Sequence, residues 1–264
     1  MLEVNNIEKT FNPGTINEKK ALDGVSLHLN PGDFVTIIGG NGAGKSTLMN
    51  AITGVWPVDN GSIILDGTNV TGMPEYKRAK YIGRVFQDPM MGTAPDMQII
   101  ENLALAYRRG KNRTLKWGIT KKERELYHER LKILGLGLED RMTSKVGLLS
   151  GGQRQALTLL MASLQQPKLL LLDEHTAALD PTTAAKVLEI SEEIISENNL
   201  TAMMITHNMH DAIAHGNRLI MMNEGKIIYD VQGEEKKNLT KADLMAKFAE
   251  IAGHQVESDK MLLS

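Results

Sequence analysis

Hydrophobic and polar residues alternate in the first part of the chain, and this alternation predicts extended segments. Between Ala21 and Leu29 the apolar positions fall on one side of a two-residue repeat, and Pro31-Gly32 then predicts a turn. The run Phe34–Ile38 is apolar and β-branched, which is typical of a buried strand. Similar runs predict further strands at 61–65, 82–86, 168–173, 201–206, 218–222 and 226–229.

The pattern becomes helical between about residues 88 and 166, where strand signals disappear. The spacings Thr120 to Glu123 and Thr240 to Asp243 are those of helix N-terminal capping boxes. The chain is thus rich in strands, then helical, and then alternates strands with helices. This order predicts an α/β core with a helical insertion.

Composition narrows the function classes. The 264 residues include 30 Lys and Arg against 32 Asp and Glu, which excludes a strongly basic nucleic-acid binder, and only 4% are aromatic. We therefore predict no nucleic-acid partner. The absence of cysteine excludes a disulfide framework and a zinc–cysteine site. No apolar run is long enough for a membrane span and no secretory signal is visible, so we expect any membrane role to come from a partner.

One segment departs from this balanced charge. Residues 108–130 carry nine Lys and Arg against three Glu. The segment is typical of a solvated loop and helix face, and the alternative is proximity to an anionic membrane surface.

A glycine-rich segment supplies the first chemical motif. The run Gly39 to Ser46 matches the P-loop pattern, because a predicted strand precedes it and a predicted helix follows. Glycines let successive N–H groups point at phosphate oxygens, and the helix N-terminus favours the same anion. Lys45 is predicted to contact the β- and γ-phosphates, and the Ser46 hydroxyl is a hard oxygen ligand for Mg²⁺. The sequence therefore predicts a nucleoside triphosphate site; its binding residues are Gly39, Asn41, Gly42, Ala43, Gly44, Lys45, Ser46 and Thr47.

An acidic pair ends a second apolar strand. Leu169 to Leu172 is followed directly by Asp173 and Glu174. Alone, this could be a buried strand that meets solvent. Beside a P-loop, Asp173 is expected to act as a magnesium carboxylate, and Glu174 to polarise the attacking water.

Further motifs, in a fixed order, make the chain resemble a known family. They are Val85-Phe86-Gln87-Asp88, Leu149-Ser150-Gly151-Gly152-Gln153, Ala178-Leu179-Asp180-Pro181 and Ile205-Thr206-His207. Together with the P-loop and the acidic strand, they resemble the ATP-binding subunits of ATP-binding cassette (ABC) transporters. The resemblance covers residues 1 to about 230, which implies one ABC ATPase domain at 1–230 and a C-terminal helical extension at 231–264. It also implies an antiparallel β subdomain and a helical subdomain at about 88–166.

The resemblance also implies roles for individual residues. Phe11 would stack on adenine, or would otherwise be an ordinary core phenylalanine. Gln87 would contact Mg²⁺ and the catalytic water and couple to a membrane subunit. Ser150, Gly151, Gly152 and Gln153 would face the γ-phosphate held by a second copy of the chain. His207 would contact the γ-phosphate, and Asp180 would cross the dimer interface while also capping a helix.

Two positions depart from the family pattern. His175 stands where proline usually follows the glutamate, and Asn208 stands where aspartate usually follows the histidine. With the segments Gly92–Pro95 and Leu157–Met161, they resemble a bacterial subgroup that works with a permease and a substrate-binding lipoprotein, some linked to tryptophan or tyrosine uptake. The resemblance implies a homodimer at the cytoplasmic face of the membrane that imports a small solute, with ATP and Mg²⁺ as cofactors.

Two other functions remain open at this stage. A soluble ABC ATPase, such as an iron–sulfur assembly subunit, has a suitable size. A DNA-maintenance ATPase would need a long coiled coil between Gln87 and Ser150, and only about 60 residues lie there. A nucleotide-binding module without hydrolysis is disfavoured, because Glu174 and His207 are both present.

Overall fold

The chain divides into two compact units in a computed structural model that describes residues 1–111 and 118–252. The first unit contains residues 1–81 and the described chain from Thr201 onward, and the second contains Ile82–Leu200. Each unit is described separately below.

The strands alternate with helices through most of the chain. The strands are β1 (Leu2–Phe11), β2 (Lys19–Leu29), β3 (Phe34–Ile38), β4 (Asn60–Leu65), β5 (Thr68–Asn69), β6 (Ile82–Val85), β7 (Leu169–Asp173), β8 (Thr201–Ile205), β9 (Arg218–Asn223) and β10 (Lys226–Gln232). The helices are α1 (Lys45–Thr53), α2 (Glu75–Arg78), α3 (Ile99–Tyr107), α4 (Lys121–Lys132), α5 (Gly151–Ser163), α6 (Pro181–Glu197), α7 (Met209–Ala214), α8 (Gly233–Lys237) and α9 (Lys241–Ala252). Short 3-10 turns occur at Glu139–Arg141 and Val146–Leu148.

The first unit contains two groups of strands. An antiparallel sheet has the order β2-β1-β4-β5. In the other group, β3 lies between β8 and β9, is parallel to both, and β10 continues antiparallel to β9. All five residues of β3 are buried, which explains its continuous apolar sequence. The P-loop follows directly from the end of this buried strand.

Helix α9 packs onto the same group of strands. Its Leu244 and Phe248 are buried against Ile38, the last residue of β3, and against Met209 and Ala212 of α7. The described part of the predicted C-terminal extension therefore belongs to the core of the first unit.

The second unit combines one parallel strand pair with helices. Strand β6 lies parallel to β7, and Val85 pairs with Leu172 at their carboxyl ends. Gly83 of β6 allows a close approach, because a Cβ there would lie 2.5 Å from the Ala162 carbonyl oxygen of α5. Polar residues follow the ends of both strands, so this edge carries the predicted site residues Gln87, Asp173 and Glu174.

The sequence predicted most of these elements. The predicted strands agree with the observed ones to within a few residues at each end, and the capping boxes at Thr120 and Thr240 are confirmed. Strand β1 was not predicted. Its alternation is interrupted at Asn5 and Asn6, and Asn6 adopts a left-handed φ of 47° where the register with β2 shifts.

The basic segment 108–130 is only partly described. Arg108 forms an ion pair with Glu123, and Arg109 donates a hydrogen bond to the Ala162 carbonyl. Both cations are therefore bound within the protein rather than displayed as a free positive face. Arg113 and Lys116 lie outside the described residues.

Candidate nucleotide site

The P-loop backbone adopts a conformation that only glycine accommodates at two of its positions. Gly39 and Gly44 have φ values of 149° and 101°. A Cβ at Gly39 would overlap the carbonyl oxygen of Met222, and a Cβ at Gly44 would lie 2.6 Å from the carbonyl oxygen of Ala21. Close approach of the neighbouring backbone therefore fixes the shape of the loop.

The loop leads directly into the N-terminus of α1. Gly44 is the N-cap residue of α1 and, as a glycine, provides no side-chain cap. The Gly225 N–H donates to the Ala43 carbonyl at 3.0 Å and anchors the loop from the β9–β10 turn. Asn41, Gly42 and Ser46 are exposed, and Thr47 is half-buried. A helix N-terminus of this kind is suited to bind an anion.

Lys45 lies over the loop that it follows. Its side chain is buried, and its Nζ donates hydrogen bonds to the carbonyl oxygens of Gly39 at 2.7 Å and Gly40 at 3.1 Å. These bonds hold the ammonium group above the loop. The cation is thus held at the P-loop.

Phe11 is part of an aromatic pair at the end of β1. Its ring meets Trp56 edge to face, with the ring centroids 4.9 Å apart. The Lys9 ammonium lies 5.8 Å from the centre of the Phe11 ring. Phe11 therefore lies in an aromatic and cationic environment and not in the apolar core.

His207 follows β8 and is half-buried. The next residue, Asn208, caps α7, because its side-chain oxygen accepts from the N–H groups of His210 and Asp211. This explains the departure from the family pattern at Asn208, since asparagine and aspartate cap helices equally well.

In the second unit, Asp173 ends β7 and forms an ion pair with Arg84 of β6. The distance between Arg84 Nη2 and Asp173 Oδ2 is 2.8 Å. Glu174 follows with a left-handed φ of 48°, which non-glycine residues adopt rarely and which tends to occur at functional sites. The strand end thus turns sharply at the predicted general base.

His175 is almost fully buried, and its Nε2 lies 3.1 Å from Ser191 Oγ of α6. Ser191 donates its own hydrogen to the Val187 carbonyl, so His175 is the donor in the bond between the two side chains. This bond attaches the segment after Glu174 to α6. Proline, with no side-chain donor, could not form it.

The signature segment begins α5 with a capping box. Ser150 Oγ accepts from the Gln153 N–H, and the Gln153 side chain accepts from the Ser150 N–H. A Cβ at Gly152 would overlap the Thr183 methyl group of α6. Gly152 therefore permits close packing between these two helices.

Asp180 and Gln87 complete the predicted residues of the second unit. Asp180 caps α6, as predicted, and its hydrogen bonds with Thr183 hold the pKa of its carboxyl below the usual value. Gln87 is exposed just after β6. The preceding residue, Phe86, is anchored, because its carbonyl accepts from buried Gln155 of α5 and its ring lies 4.7 Å from the Arg84 guanidinium carbon.

The predicted site residues therefore belong to two groups. The first unit contains Phe11, the P-loop residues 39–47 and His207, whereas the second contains Gln87, residues 150–153, Asp173, Glu174 and Asp180. Within the described residues, no cluster of three His, Cys, Asp or Glu side chains could hold a metal ion by itself. The Ser46 hydroxyl of the first unit and the Asp173 carboxylate of the second are each hard oxygen donors, the type that Mg²⁺ prefers.

Comparisons with known proteins agree with this architecture. A sequence model of the family described as "ABC transporter" matches residues 22–177. The chain is 46% identical over 249 residues to a tyrosine transport ATP-binding protein of Clostridioides difficile, covering 94% of this chain and 98% of that protein. This chain belongs to the ABC transporter family.

Two further relatives show how widely this cassette occurs. One is a xylose/arabinose import ATP-binding protein of Sulfolobus acidocaldarius, 35% identical over 94% of this chain and 95% of that protein. The other is a dimeric ATP-binding cassette solved in a post-hydrolysis state with ADP and Pi, with a TM-score of 0.75 and 29% identity over 88% of this chain and 98% of that one.

Family membership confirms the predicted fold class and the predicted reaction. The ABC cassette is an ATPase that drives transport, and ATP is its nucleotide. Its fold is the P-loop ABC-type α/β fold with an antiparallel sheet and a helical part. Among the described residues, no helix has both the length and the apolar character that crossing a bilayer requires.

Four residues that contact the predicted site residues or their neighbours were not predicted from the sequence. They are Arg84, Trp56, Gln155 and Ser191. Each contacts a predicted site residue or its direct neighbour. Only Trp56 carried a signal, as one of two tryptophans in a chain poor in aromatic residues. The other three depend on contacts between separate elements.

Proposed function

We propose that Glu174 is the general base of ATP hydrolysis in this cassette. The observation that supports this role is the left-handed turn at Glu174, directly after the Asp173 carboxylate and before the anchored His175. Glu174 accepts a proton from water while the water oxygen attacks the γ-phosphorus and the bond to ADP breaks. His207 and Gln87 orient the water.

The remaining site residues bind the nucleotide. The P-loop amides and Lys45 hold the β- and γ-phosphates, and Phe11 stacks on adenine. Ser46, Asp173 and Gln87 would hold Mg²⁺, which neutralises charge on the phosphate oxygens when bound. Residues 150–153 and Asp180 act on the nucleotide of a second copy of the chain.

Replacement of Glu174 by Gln tests the base. Glu174→Gln should lower ATP turnover by on the order of 10²–10⁴-fold, because the amide cannot accept the proton. ATP should still bind, and an ATP-bound dimer should accumulate on a sizing column. Glu224→Gln is the matched control, since Glu224 has nearly the same left-handed φ of 46° in the β9–β10 turn. Hydrolysis by Glu174→Gln at the rate of this control would reject the assignment.

We further propose that the subunit acts at the cytoplasmic face of a membrane permease and imports a small solute. An aromatic amino acid is the proposed cargo, because the tyrosine transport relative matches nearly the whole of both chains at 46% identity. A substrate-binding lipoprotein would deliver the cargo to the permease.

The segment after Gln87 supports docking to a permease. Met90 and Met91 are 42% and 69% exposed, and Leu148 is 72% exposed. Arg154 Nη1 contacts the Met90 sulfur and connects this segment to the signature helix α5. Exposed methionines adapt their shape to an apolar partner, so they suit a surface that docks and releases.

Reconstitution tests both the partner and the cargo. The cassette is placed in liposomes with its permease and lipoprotein, and ATP turnover is measured with tyrosine, tryptophan, methionine or xylose. An aromatic amino acid should give the largest stimulation, and Met91→Glu should abolish it. Met245→Glu, at an exposed methionine of α9, should retain stimulation. Turnover that is independent of permease and solute would favour a soluble role.

A further inference from the structure

The ion pair between Arg84 and Asp173 is unusual for its location. Arg84 is the only charged residue of β6, whose other residues, Ile82, Gly83 and Val85, are buried. The two side chains of the pair are only 13% and 15% exposed. Because solvent screens it weakly, such a pair affects local charge more than a surface ion pair does.

The guanidinium contacts two predicted functional segments at once. Its Nη2 is 2.8 Å from Asp173 Oδ2, and its carbon lies 4.7 Å from the centre of the Phe86 ring. Phe86 directly precedes Gln87. A planar guanidinium can bind a carboxylate and lie on an aromatic face at the same time, which a lysine ammonium does less well.

A cation at this place must affect the binding of a second cation. Asp173 is the carboxylate proposed to hold Mg²⁺, and the charge of Arg84 already compensates it. A metal ion that approaches Asp173 is repelled by the guanidinium and competes with it for the carboxylate oxygens. Without metal, the same guanidinium lowers the repulsion between Asp173 and the nucleotide phosphates.

We propose that Arg84 is an internal counter-cation of Asp173 that sets the metal dependence of nucleotide binding. The inference rests on the proposed role of Asp173 as a magnesium ligand. Arg84 supports binding of metal-free nucleotide and opposes binding of Mg²⁺. It is a positioning residue, since it acts through Asp173.

The test measures ADP binding by calorimetry, in EDTA and over a series of Mg²⁺ concentrations, so that no turnover is involved. Arg84→Gln should weaken metal-free ADP binding about fivefold and lower the half-saturating Mg²⁺ concentration about fivefold. Arg84→Lys keeps the charge and should remain close to the wild type in both. If Arg84 had a purely structural role, its loss would not weaken metal-free ADP binding and at the same time strengthen Mg²⁺ binding.

Two controls make the outcome decisive. Arg218→Gln removes an arginine of equal side-chain exposure, 13%, from its ion pair with Asp230, and should change neither quantity. Thermal unfolding without nucleotide verifies folding, and Arg84→Met, which keeps the apolar stem, replaces Arg84→Gln if the latter is unfolded.

The results separate failure of this inference from failure of the proposed site. Asp173→Asn should lose the magnesium effect. If it does, but Arg84→Gln and Arg84→Met leave metal-free ADP binding and Mg²⁺ binding unchanged or weaken both, Arg84 is not the counter-cation. If Asp173→Asn retains the full magnesium effect, Asp173 is not the metal ligand, and the inference fails with it.

Discussion

The P-loop and the site segments of the second unit are fixed by different physical means. At Gly39 and Gly44, neighbouring carbonyl oxygens occupy the space of a side chain, so the backbone conformation depends on having none. In the second unit, side chains hold the backbone: Ser150 bonds to Gln153, Asp180 to Thr183 and His175 to Ser191.

This difference predicts different tolerance to substitution. A loop fixed by close approach should accept no side chain at the contact positions. A segment fixed by hydrogen bonds should accept any residue that makes the same bond. The departure from the family pattern at Asn208 fits this second rule, since Asn208 caps α7 where aspartate is usual.

The largest expected effect comes from adding a methyl group to the P-loop. Gly39→Ala should lower the free energy of unfolding by about 3 kcal/mol, because the Cβ overlaps the Met222 carbonyl. It should also abolish detectable ATP binding. Gly67→Ala is the control for a positive-φ glycine in open space: φ at Gly67 is 75°, and no atom lies within 4 Å of its Cβ. Left-handed strain alone should cost about 1 kcal/mol there.

Urea unfolding and ATP titration of both variants check this prediction. If Gly39→Ala and Gly67→Ala lose the same amount of stability, backbone strain alone accounts for the effect. The close approach would then not be what fixes the loop.

The contrast between the two regions also explains what the sequence could predict. The P-loop was predicted residue by residue, because its glycines, lysine and helix start are contiguous and their geometry is local. The ion pair of Arg84 with Asp173 joins residues 89 positions apart, and His175 meets Ser191 across 16 positions. Such pairs depend on how separate elements pack against each other, and no short stretch of the sequence shows this.

A second prediction separates capping from phosphate recognition at Ser150. Ser150→Asp keeps a good N-cap, so stability should change by less than about 0.5 kcal/mol. Its carboxylate should nevertheless prevent the ATP-bound dimer by repelling the γ-phosphate held by the second copy. Ser150→Ala should behave in the opposite way, losing about 1 kcal/mol of stability while it still dimerises.

Mixing two variants then tests whether each nucleotide is shared between chains. Neither Lys45→Ala nor Ser150→Asp should form an ATP-bound homodimer alone, but a tagged mixture should recover about one ATP per dimer. Ser150→Asp is preferable to Gly152→Asp here, since any side chain at Gly152 displaces Thr183. No recovery on mixing would count against a site built from two chains.

The smallest expected effect comes from Tyr127 of α4. This polar residue differs from the site segments of the second unit, whose side chains are held by hydrogen bonds. Its side chain is fully buried, its ring meets Tyr107 edge to face, and no described residue hydrogen-bonds its hydroxyl. Burial raises the pKa of Tyr127 from 10.0 to about 12. The unfolded chain therefore loses this proton at lower pH than the folded one, so stability is retained below pH 10 and falls as the pH rises toward 12.

Tyr127→Phe should have a stability within about 0.5 kcal/mol of the wild type at pH 8. At pH 11 the variant should be more stable than the wild type by about 1 kcal/mol. Urea unfolding at both values checks this, with Tyr76→Phe at an exposed tyrosine as the control. A loss of stability in Tyr127→Phe at pH 8 would instead show that the hydroxyl is held by a hydrogen bond.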